Sequence, residues 1–401
     1  MLQLAQRLDR IQEPQTIKMA RLGRELRAQG VPLIDLSLGE PDFRTPDSIC
    51  NAATRAMAAG HTKYPPVAGI PELRQAICEK LRRDNGLHYL PEETIVSTGA
   101  KQALANTILC LINPGDEVII PTPFWVTYGA LVSLAEGVPV YVQAPVAQDF
   151  KITPEQLEAA LTPKTKMFIY SAPCNPTGAV YSKAELAALA AVFERHPQVV
   201  IVSDEIYEYI NYGEEGHQSI AQFSALRNRT VVVNGFSKGF AMTGWRLGYM
   251  AAPKAIIQAC EKLQSQFTSG ANIIAQYAGV AALTEDLSAT QEMTAAFRER
   301  RDFVIGSLRK IPGLKVPMPE GAFYAFPDVS AYFGSVAPDG TRIENDEDVS
   351  MYLLNKAYLN TVYGSAFGDG NCIRMSYATS MENLEEAMKR FAAAFSELKR
   401  N

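Results

Sequence analysis

Short apolar runs alternate with stretches of helical periodicity along most of this chain. The apolar runs that we interpret as strands lie at residues 117–121, 137–143, 166–171, 199–204 and 230–236. Apolar residues recur with helical spacing at residues 70–85, 101–112, 183–195 and 255–266. Because such alternation is typical of a mainly parallel sheet covered by helices, the pattern predicts an α/β fold.

The pattern changes near residue 290. A long charged helix is predicted at residues 294–308, two strands at 321–326 and 372–378, and a closing helix at 382–398. We interpret this part as a smaller α+β domain, and we expect a helix at residues 17–30 to pack with it. The predicted organisation is a large domain at residues 45–290 and a discontinuous small domain made of residues 1–44 and 291–401.

Composition narrows the class of protein. A chain of 401 residues that is 47% hydrophobic and 20% charged is long enough for a large core. The net charge of -5 contains no long single-sign block, which disfavours nucleic-acid and membrane-surface binding. The six cysteines and four histidines are scattered, so we expect reduced thiols and no metal site. Without a predicted signal peptide or membrane span, we expect a cytoplasmic enzyme for small molecules.

A glycine-rich stretch at residues 235–248 carries the main candidate chemistry. It places Lys238 just after an apolar run and eight residues before Arg246. A lysine amine attacks a carbonyl only when it is partly neutral, and a closed cleft with a second cation nearby favours the neutral form. The stretch therefore suggests a Schiff-base lysine beside a phosphate-binding arginine. The alternative is a solvated lysine in a flexible loop.

Other candidate residues lie where predicted strands end, which is where ligands collect in open parallel sheets. Ser97-Thr-Gly-Ala-Lys101 opens a helix and offers free backbone N–H groups to a phosphate, although it also fits a simple helix start. Asn175-Pro-Thr-Gly178 is predicted to form a rigid turn that presents the Asn175 amide to a ligand. The alternative is that the motif only forms a turn. Asp204 ends an apolar strand, where its carboxylate requires a cation, hydrogen-bond donors or a helix start beside it.

Two further side chains fit a ligand site. Trp125 offers a flat face for stacking, and its alternative is a place in the core. Arg374 alternates within a strand pattern, and its fork-shaped guanidinium suits the α-carboxylate of an amino acid. The alternative for Arg374 is an exposed position on the strand.

These motifs, in this order from Ser37-Leu-Gly-Glu-Pro-Asp-Phe43 to Arg374, resemble those of the class I/II pyridoxal-phosphate aminotransferases of fold type I. The resemblance covers nearly the whole chain and is closest to the bacterial aspartate aminotransferase (subgroup Iβ) branch. It implies a mainly parallel seven-stranded sheet in a large domain and a smaller α+β domain. It also implies pyridoxal 5'-phosphate as cofactor, amino acids and 2-oxo acids as substrates, and a homodimer with shared active sites.

The resemblance also implies a role for each matching residue. Lys238 would form the Schiff base with the cofactor and then move the substrate proton, while Asp204 would hold the ring nitrogen as a cation. Trp125 would stack on the ring, and Asn175 and Tyr207 would contact its 3-oxygen. Gly99, Ala100, Ser237 and Arg246 would hold the phosphate, with Tyr64 reaching it across the dimer, and Lys101 would be a further cofactor-binding residue. The residues implied to bind substrate are Gly39, Lys101, Trp125, Asn175 and Arg374.

Substrate choice is inferred from fewer residues than cofactor binding, mainly those near the distal carboxylate. Residues 267–276 contain no arginine, so the distal-carboxylate arginine of animal aspartate aminotransferases has no counterpart there. The resemblance implies that Lys101, in Gly99-Ala-Lys-Gln102, does this work instead. Thr16 fits the N-terminal segment of the branch, whereas Pro14 stands where serine is usual. We expect transfer between aspartate, or a related acidic donor, and 2-oxoglutarate. Prephenate or aromatic substrates, a C–S lyase, and a non-catalytic module on this fold are the alternatives.

Overall fold

The computed structural model describes residues 4–399, which form twelve α-helices and twelve strands. The helices are α1 Gln15–Ala28, α2 Asp47–Ala58, α3 Pro71–Asn85, α4 Ala100–Leu111, α5 Thr127–Leu134, α6 Pro154–Ala160, α7 Lys183–Glu194, α8 Lys254–Phe267, α9 Ile273–Thr284, α10 Ser288–Leu308, α11 Asp346–Tyr352 and α12 Met381–Glu397. The strands are β1 Ile34–Asp35, β2 Thr94–Ser97, β3 Glu117–Thr122, β4 Val138–Gln143, β5 Thr165–Ser171, β6 Val200–Asp204, β7 Thr230–Gly235, β8 Gly248–Ala251, β9 Tyr324–Ala325, β10 Leu359–Asn360, β11 Val362–Tyr363 and β12 Ile373–Ser376.

Seven of these strands form the main sheet, in the order β2-β8-β7-β6-β5-β3-β4. Strands β3 to β7 run parallel to one another, and β8 runs antiparallel to both of its neighbours, β2 and β7. The predicted α/β fold with a mainly parallel seven-stranded sheet is confirmed. Strand β8 was not predicted, because four residues after a glycine-rich stretch carry too little periodicity to be recognised.

The main sheet is buried on both faces. On β3, the neighbouring residues Ile119 and Ile120 are each 0% exposed but belong to different hydrophobic clusters. Ile120 belongs to the cluster that includes Leu104 of α4, whereas Ile119 belongs to the cluster that includes Leu186 of α7. Burial on both faces explains why these strands are continuous apolar runs rather than alternating patterns.

Two smaller sheets are built mainly from the C-terminal part. Strand β1 pairs in parallel with β10, and β11, β12 and β9 form an antiparallel sheet. Their core includes Phe297 of α10 and Phe391 of α12, both 0% exposed. Helix α1 is tied to this part, since Asn360 Nδ2 donates to the backbone oxygen of Met19 at 3.0 Å. The domain boundaries proposed from the sequence remain a prediction.

Several predicted boundaries were wrong. Only Tyr324–Ala325 of the predicted strand at 321–326 is a strand, although all six residues are buried, so the apolar run reflects burial rather than pairing. Helix α10 begins at Ser288, six residues before the predicted start, with Thr290 Oγ1 donating to the oxygen of Gly239 at 2.8 Å. The predicted strand at 372–378 is limited to Ile373–Ser376, and α1 lies two residues earlier than predicted. Within residues 4–399, no helix is long and apolar enough to cross a membrane.

Candidate active site

A cavity of about 420 Å³ lies beside the carboxyl ends of β6 and β7, between the main sheet and helix α1. Most residues singled out from the sequence line it, although they come from widely separated parts of the chain. They are Gly39, Ala100, Lys101, Trp125, Asn175, Asp204, Tyr207, Ser237, Lys238, Arg246 and Arg374. The cavity therefore brings the predicted chemistry together in one place.

Lys238 follows β7 by three residues and points across the cavity. Its Nζ donates to the backbone oxygen of Gly39, in the segment that follows β1. Burial lowers the pKa of Lys238 to about 8, with Arg374 and Arg246 acting in the same direction and Glu40 opposing them. A substantial fraction of the amine is therefore neutral near pH 8, which a nucleophile or a proton carrier requires.

Asp204 is the last residue of β6 and is 4% exposed. Its carboxylate accepts hydrogen bonds from the hydroxyl of Tyr128 at 2.7 Å and from the backbone N–H of Ile206 at 3.3 Å. Burial raises the pKa of Asp204 to about 6. The carboxylate caps no helix, and no lysine or arginine within residues 4–399 forms an ion pair with it. A cationic ligand group placed here would favour its ionised form.

An anion-binding corner forms where α4 begins. Gly99 precedes α4 with φ at +81°, and a Cβ on it would lie 2.7 Å from Nη2 of Arg246. A larger residue would therefore displace the guanidinium. Arg246 has φ at 54°, an uncommon conformation for arginine, and its Nη1 donates to the oxygen of Thr243 at 2.9 Å. The N–H groups of Ala100 and Lys101 begin α4 and have no carbonyl partner within the helix, whereas that of Gln102 donates to the oxygen of Gly99 at 3.0 Å. This corner therefore suits a phosphate.

Lys101 and Trp125 lie together at the edge of this corner. Nζ of Lys101 is 4.8 Å from the centre of the Trp125 ring. Although Lys101 keeps more than a third of its surface exposed, partial burial and the neighbouring Arg246 lower its pKa. Trp125 also contacts Tyr128 edge-on, with ring centres 5.6 Å apart.

Arg374 lies on β12 and is 2% exposed, so its predicted alternative as an exposed strand residue is wrong. Its Nη1 donates to Oδ1 of Asn175 at 3.1 Å, and its Nη2 donates to the backbone oxygen of Ser37. Its Nε has no hydrogen-bond partner within residues 4–399, and burial lowers its pKa. Since no carboxylate of the described chain pairs with this buried cation, it is poised to bind an anionic ligand.

Comparison with known proteins identifies the family. The family model described as aminotransferase class I and II matches residues 31–391. The chain belongs to the class I and II aminotransferases. This aminotransferase is 49% identical over 395 residues to an aspartate/prephenate aminotransferase of Cereibacter sphaeroides, over 97% of this chain and 98% of the relative.

Solved structures of aminotransferases share the fold. The aspartate aminotransferase of Rhizobium meliloti superposes with a TM-score of 0.97 at 44% identity, with 100% of both chains covered. The Thermus thermophilus aspartate aminotransferase with maleate gives a TM-score of 0.92 at 43% identity, over 98% of this chain and 100% of that one. The predicted fold-type I architecture is thereby confirmed for this aminotransferase.

Two predicted site residues of the aminotransferase do not line the cavity. Gly99 lies directly beside it, against Arg246. Tyr64 is 98% exposed on the surface of the chain, so it contributes nothing to the site of its own subunit. Its predicted contact with the phosphate in a neighbouring subunit stays a prediction.

The aminotransferase site also contains residues that sequence reasoning missed. Tyr128 bonds to Asp204, and Tyr324 shares a 2.8 Å hydrogen bond with the hydroxyl of Tyr207, whose pKa burial raises. Tyr128 follows Trp125 by one helical turn, which was a usable signal. Arg24 lines the cavity from α1, seven residues after Ile17 and on the same helix face. Nothing in the sequence around Tyr324 indicated that its hydroxyl contacts Tyr207.

A separate buried polar cluster of the aminotransferase lies behind β6. Potential metal ligands of Glu205, Glu208 and His217 lie within 4.8 Å of one another, the one such group found within residues 4–399. However, the buried ammonium of Lys80 pairs with Glu208, and His217 Nε2 lies 2.8 Å from Glu205. Because these cations already balance the carboxylates, we interpret the cluster as an ion-pair network that supports the end of β6.

Proposed function

We propose that this aminotransferase uses pyridoxal 5'-phosphate to move an amino group between aspartate, or a related acidic amino acid, and a 2-oxo acid such as 2-oxoglutarate. The observation that carries the proposal is the arrangement around Lys238. Within residues 4–399, the buried carboxylate of Asp204 has no cationic partner and the buried guanidinium of Arg374 has no carboxylate partner. Both line the same cavity as a lysine of lowered pKa. A cationic cofactor ring would pair with Asp204, and the α-carboxylate of an amino-acid substrate would pair with Arg374.

The residues of the cavity fit this cofactor. The corner formed by Gly99, Ala100, Ser237 and Arg246 would hold the phosphate, and Trp125 would stack on the ring. Asp204 would hold the protonated ring nitrogen. At about 4 Å and an effective dielectric near 20, such a pairing would contribute roughly 4 kcal/mol before desolvation costs. Asn175 and Tyr207 would contact the 3-oxygen. When bound, pyridoxal phosphate supplies a ring that accepts the electron pair left at the substrate Cα.

Lys238 performs two tasks in the proposed mechanism. Its Nζ would hold the cofactor covalently in the absence of substrate. With substrate bound, the same amine would serve as the group that accepts and returns the substrate's Cα proton. Its lowered pKa keeps enough of the amine neutral to accept that proton near pH 8. The reaction proceeds in two half-reactions, with amino acid and 2-oxo acid bound alternately at the same residues.

Recognition of an acidic substrate follows from the distribution of charge. Arg374 binds the α-carboxylate, and Lys101, at the Trp125 face, binds the distal carboxylate. The names of the relatives support this choice, because the first relative acts on aspartate and prephenate and the Thermus thermophilus structure contains maleate. Prephenate is the second candidate substrate, since it too carries two carboxylates and appears in the relative's name.

We also propose that the protein is a homodimer with shared active sites, in which Tyr64 reaches the phosphate of the neighbouring site. Two large apolar side chains, Tyr64 and Phe267, are 98% and 68% exposed in the single chain. Pairing of two subunits through this region would cover them. The six cysteines are all free thiols, which supports our expectation of a cytoplasmic protein.

A screen of amino acids against the purified holoenzyme tests the proposed function. Each amino acid is mixed with enzyme in the absence of a 2-oxo acid, and the cofactor absorbance reports the half-reaction. We expect aspartate and glutamate to react with much higher kcat/KM than neutral donors. A strong preference for neutral donors would contradict the acidic assignment. Steady release of pyruvate and ammonia without a 2-oxo acid would instead indicate a lyase.

A further inference from the structure

Helix α1 carries four basic residues, and three of them form ion pairs. Lys18 lies 3.7 Å from Glu347, Arg21 lies 3.0 Å from Glu13, and Arg27 pairs with Asp35. Arg24 is the exception, because no carboxylate within residues 4–399 pairs with its guanidinium. It is also the one basic residue of α1 that lines the active-site cavity.

The position of Arg24 follows from the helix. Ile17, Ala20 and Arg24 are spaced by three and four residues, so they share one face of α1, and all three line the cavity. Arg24 is exposed, whereas Arg374, which lines the same cavity, is 2% exposed. Arg24 therefore lies at the solvent edge of the same cavity, on a long side chain that can reach a bound ligand.

The charged side chains of the cavity leave Arg24 available to bind a substrate carboxylate. Its lining contains five cationic side chains, from Arg24, Lys101, Lys238, Arg246 and Arg374, against the carboxylates of Glu40 and Asp204. In the proposed function, Lys238 holds the cofactor, Arg246 binds its phosphate and Arg374 binds the α-carboxylate. Two cations, Lys101 and Arg24, remain for a second substrate carboxylate. Lys101 lies beside Trp125, whereas Arg24 enters the cavity from α1, and both side chains are exposed to solvent.

We propose that Arg24 is a specificity-determining residue that binds the second carboxylate of the longer dicarboxylate substrates, glutamate and 2-oxoglutarate. This inference rests on the proposed function and names a second contact in the same site. The distal carboxylate of these substrates lies one methylene farther from Cα than that of aspartate, so it extends toward the solvent edge. A guanidinium binds it through two parallel hydrogen bonds, a geometry that lysine cannot reproduce.

The test compares Arg24→Gln, Arg24→Lys and a control variant, Arg21→Gln, on the holoenzyme. Arg21 lies on the same helix but outside the cavity, so its removal controls for altered charge and stability of α1. Steady-state kcat and KM are measured for glutamate, 2-oxoglutarate, aspartate and oxaloacetate. We expect Arg24→Gln to raise KM for the two longer substrates by roughly ten-fold with kcat nearly unchanged. The shorter substrates should change by less than about three-fold, and Arg24→Lys should recover part of the loss.

Binding of unreactive dicarboxylates gives a second measurement. We expect Arg24→Gln to weaken the binding of glutarate more than that of succinate, measured by calorimetry on the same proteins. Equal losses for long and short dicarboxylates, or no loss in Arg24→Gln beyond that in Arg21→Gln, would overturn the proposal while leaving the acidic preference of the wild type intact. A wild-type enzyme without preference for acidic substrates would overturn both proposals.

Discussion

The hydroxyl of Tyr128 donates a hydrogen bond of 2.7 Å to Oδ2 of Asp204, and the two side chains are 1% and 4% exposed. Burial alone would favour the protonated carboxyl, and this hydrogen bond opposes that effect by stabilising the carboxylate. Tyr128 therefore acts through Asp204, holding it in the form that can pair with a cationic ring.

Tyr128→Phe tests this relationship. Without the donor, the pKa of Asp204 should rise farther above its ordinary value, so the carboxylate is lost at a higher pH. We expect kcat to fall roughly ten-fold, since hydrogen bonds to charged groups contribute about 1.5 to 3 kcal/mol. The acid limb of the kcat/KM profile should move to higher pH. An unchanged profile with reduced kcat would mean that Tyr128 only shapes the cavity.

Asp204→Asn removes the charge but keeps the shape of the side chain. A neutral amide cannot stabilise a ring cation, so we expect transamination to fall by several orders of magnitude. Single-turnover absorbance measures the loss, and circular dichroism checks that the fold is retained. Rates close to those of the wild type would remove Asp204 from the mechanism.

Lys238→Ala should abolish covalent attachment of the cofactor. The wild-type protein should be yellow, and borohydride should fix the cofactor to Lys238, as identified by peptide mapping. Lys238→Ala should lose both the fixed cofactor and turnover. Attachment to another lysine would contradict the central assignment.

The pKa of Lys238 also predicts how reconstitution depends on pH. Burial lowers this pKa to about 8, and only the neutral amine reacts with an aldehyde. The rate at which the apoprotein takes up pyridoxal phosphate should therefore rise as pH increases toward 8 and level off above it. A rate that continues to rise up to pH 10 would indicate an ordinary, solvated lysine.

The shared-site proposal predicts a dimer of about twice 43.9 kDa by sedimentation. It also predicts complementation between two defective variants, Tyr64→Ala and Lys238→Ala. A mixed dimer contains one site with an intact Lys238 and an intact Tyr64, so random mixing should give about a quarter of wild-type activity. A fully active monomer, or no gain on mixing beyond the sum of the separate variants, would contradict shared sites.

Much of the site was predictable because the chemistry follows local patterns. Asp204 and Lys238 each come shortly after a buried apolar strand, and parallel strands bring their carboxyl ends to one edge. Contacts between distant elements were not predictable in this way. Tyr207 and Tyr324 are 117 residues apart, and Arg24 enters the cavity only because α1 packs beside β10 and β11. The apolar run at 321–326 misled the strand prediction, because burial and strand pairing give the same pattern.

The distal carboxylate provides the last test, through Lys101. Arg24 also lines the cavity, so Lys101 is not the one cation available to that carboxylate. Lys101→Ala should lower kcat/KM for aspartate far more than for a neutral donor, by roughly ten- to a hundred-fold, because the exposed part of this lysine reduces the strength of the pairing. Cofactor occupancy should change little, since the phosphate is assigned to backbone groups near Gly99 and to Arg246.

Both donor classes are compared in wild type and variant at equal cofactor saturation, with Lys183→Ala, on the distant helix α7, as a control for lost surface charge. If Lys101 and Arg24 serve the same carboxylate on glutamate, the double variant should lose less than the product of the two single losses, because neighbouring contacts to one group are not additive. An equal loss for acidic and neutral donors in Lys101→Ala would assign Lys101 to the cofactor or the fold. The preference for aspartate would then lose the lysine assigned to the distal carboxylate.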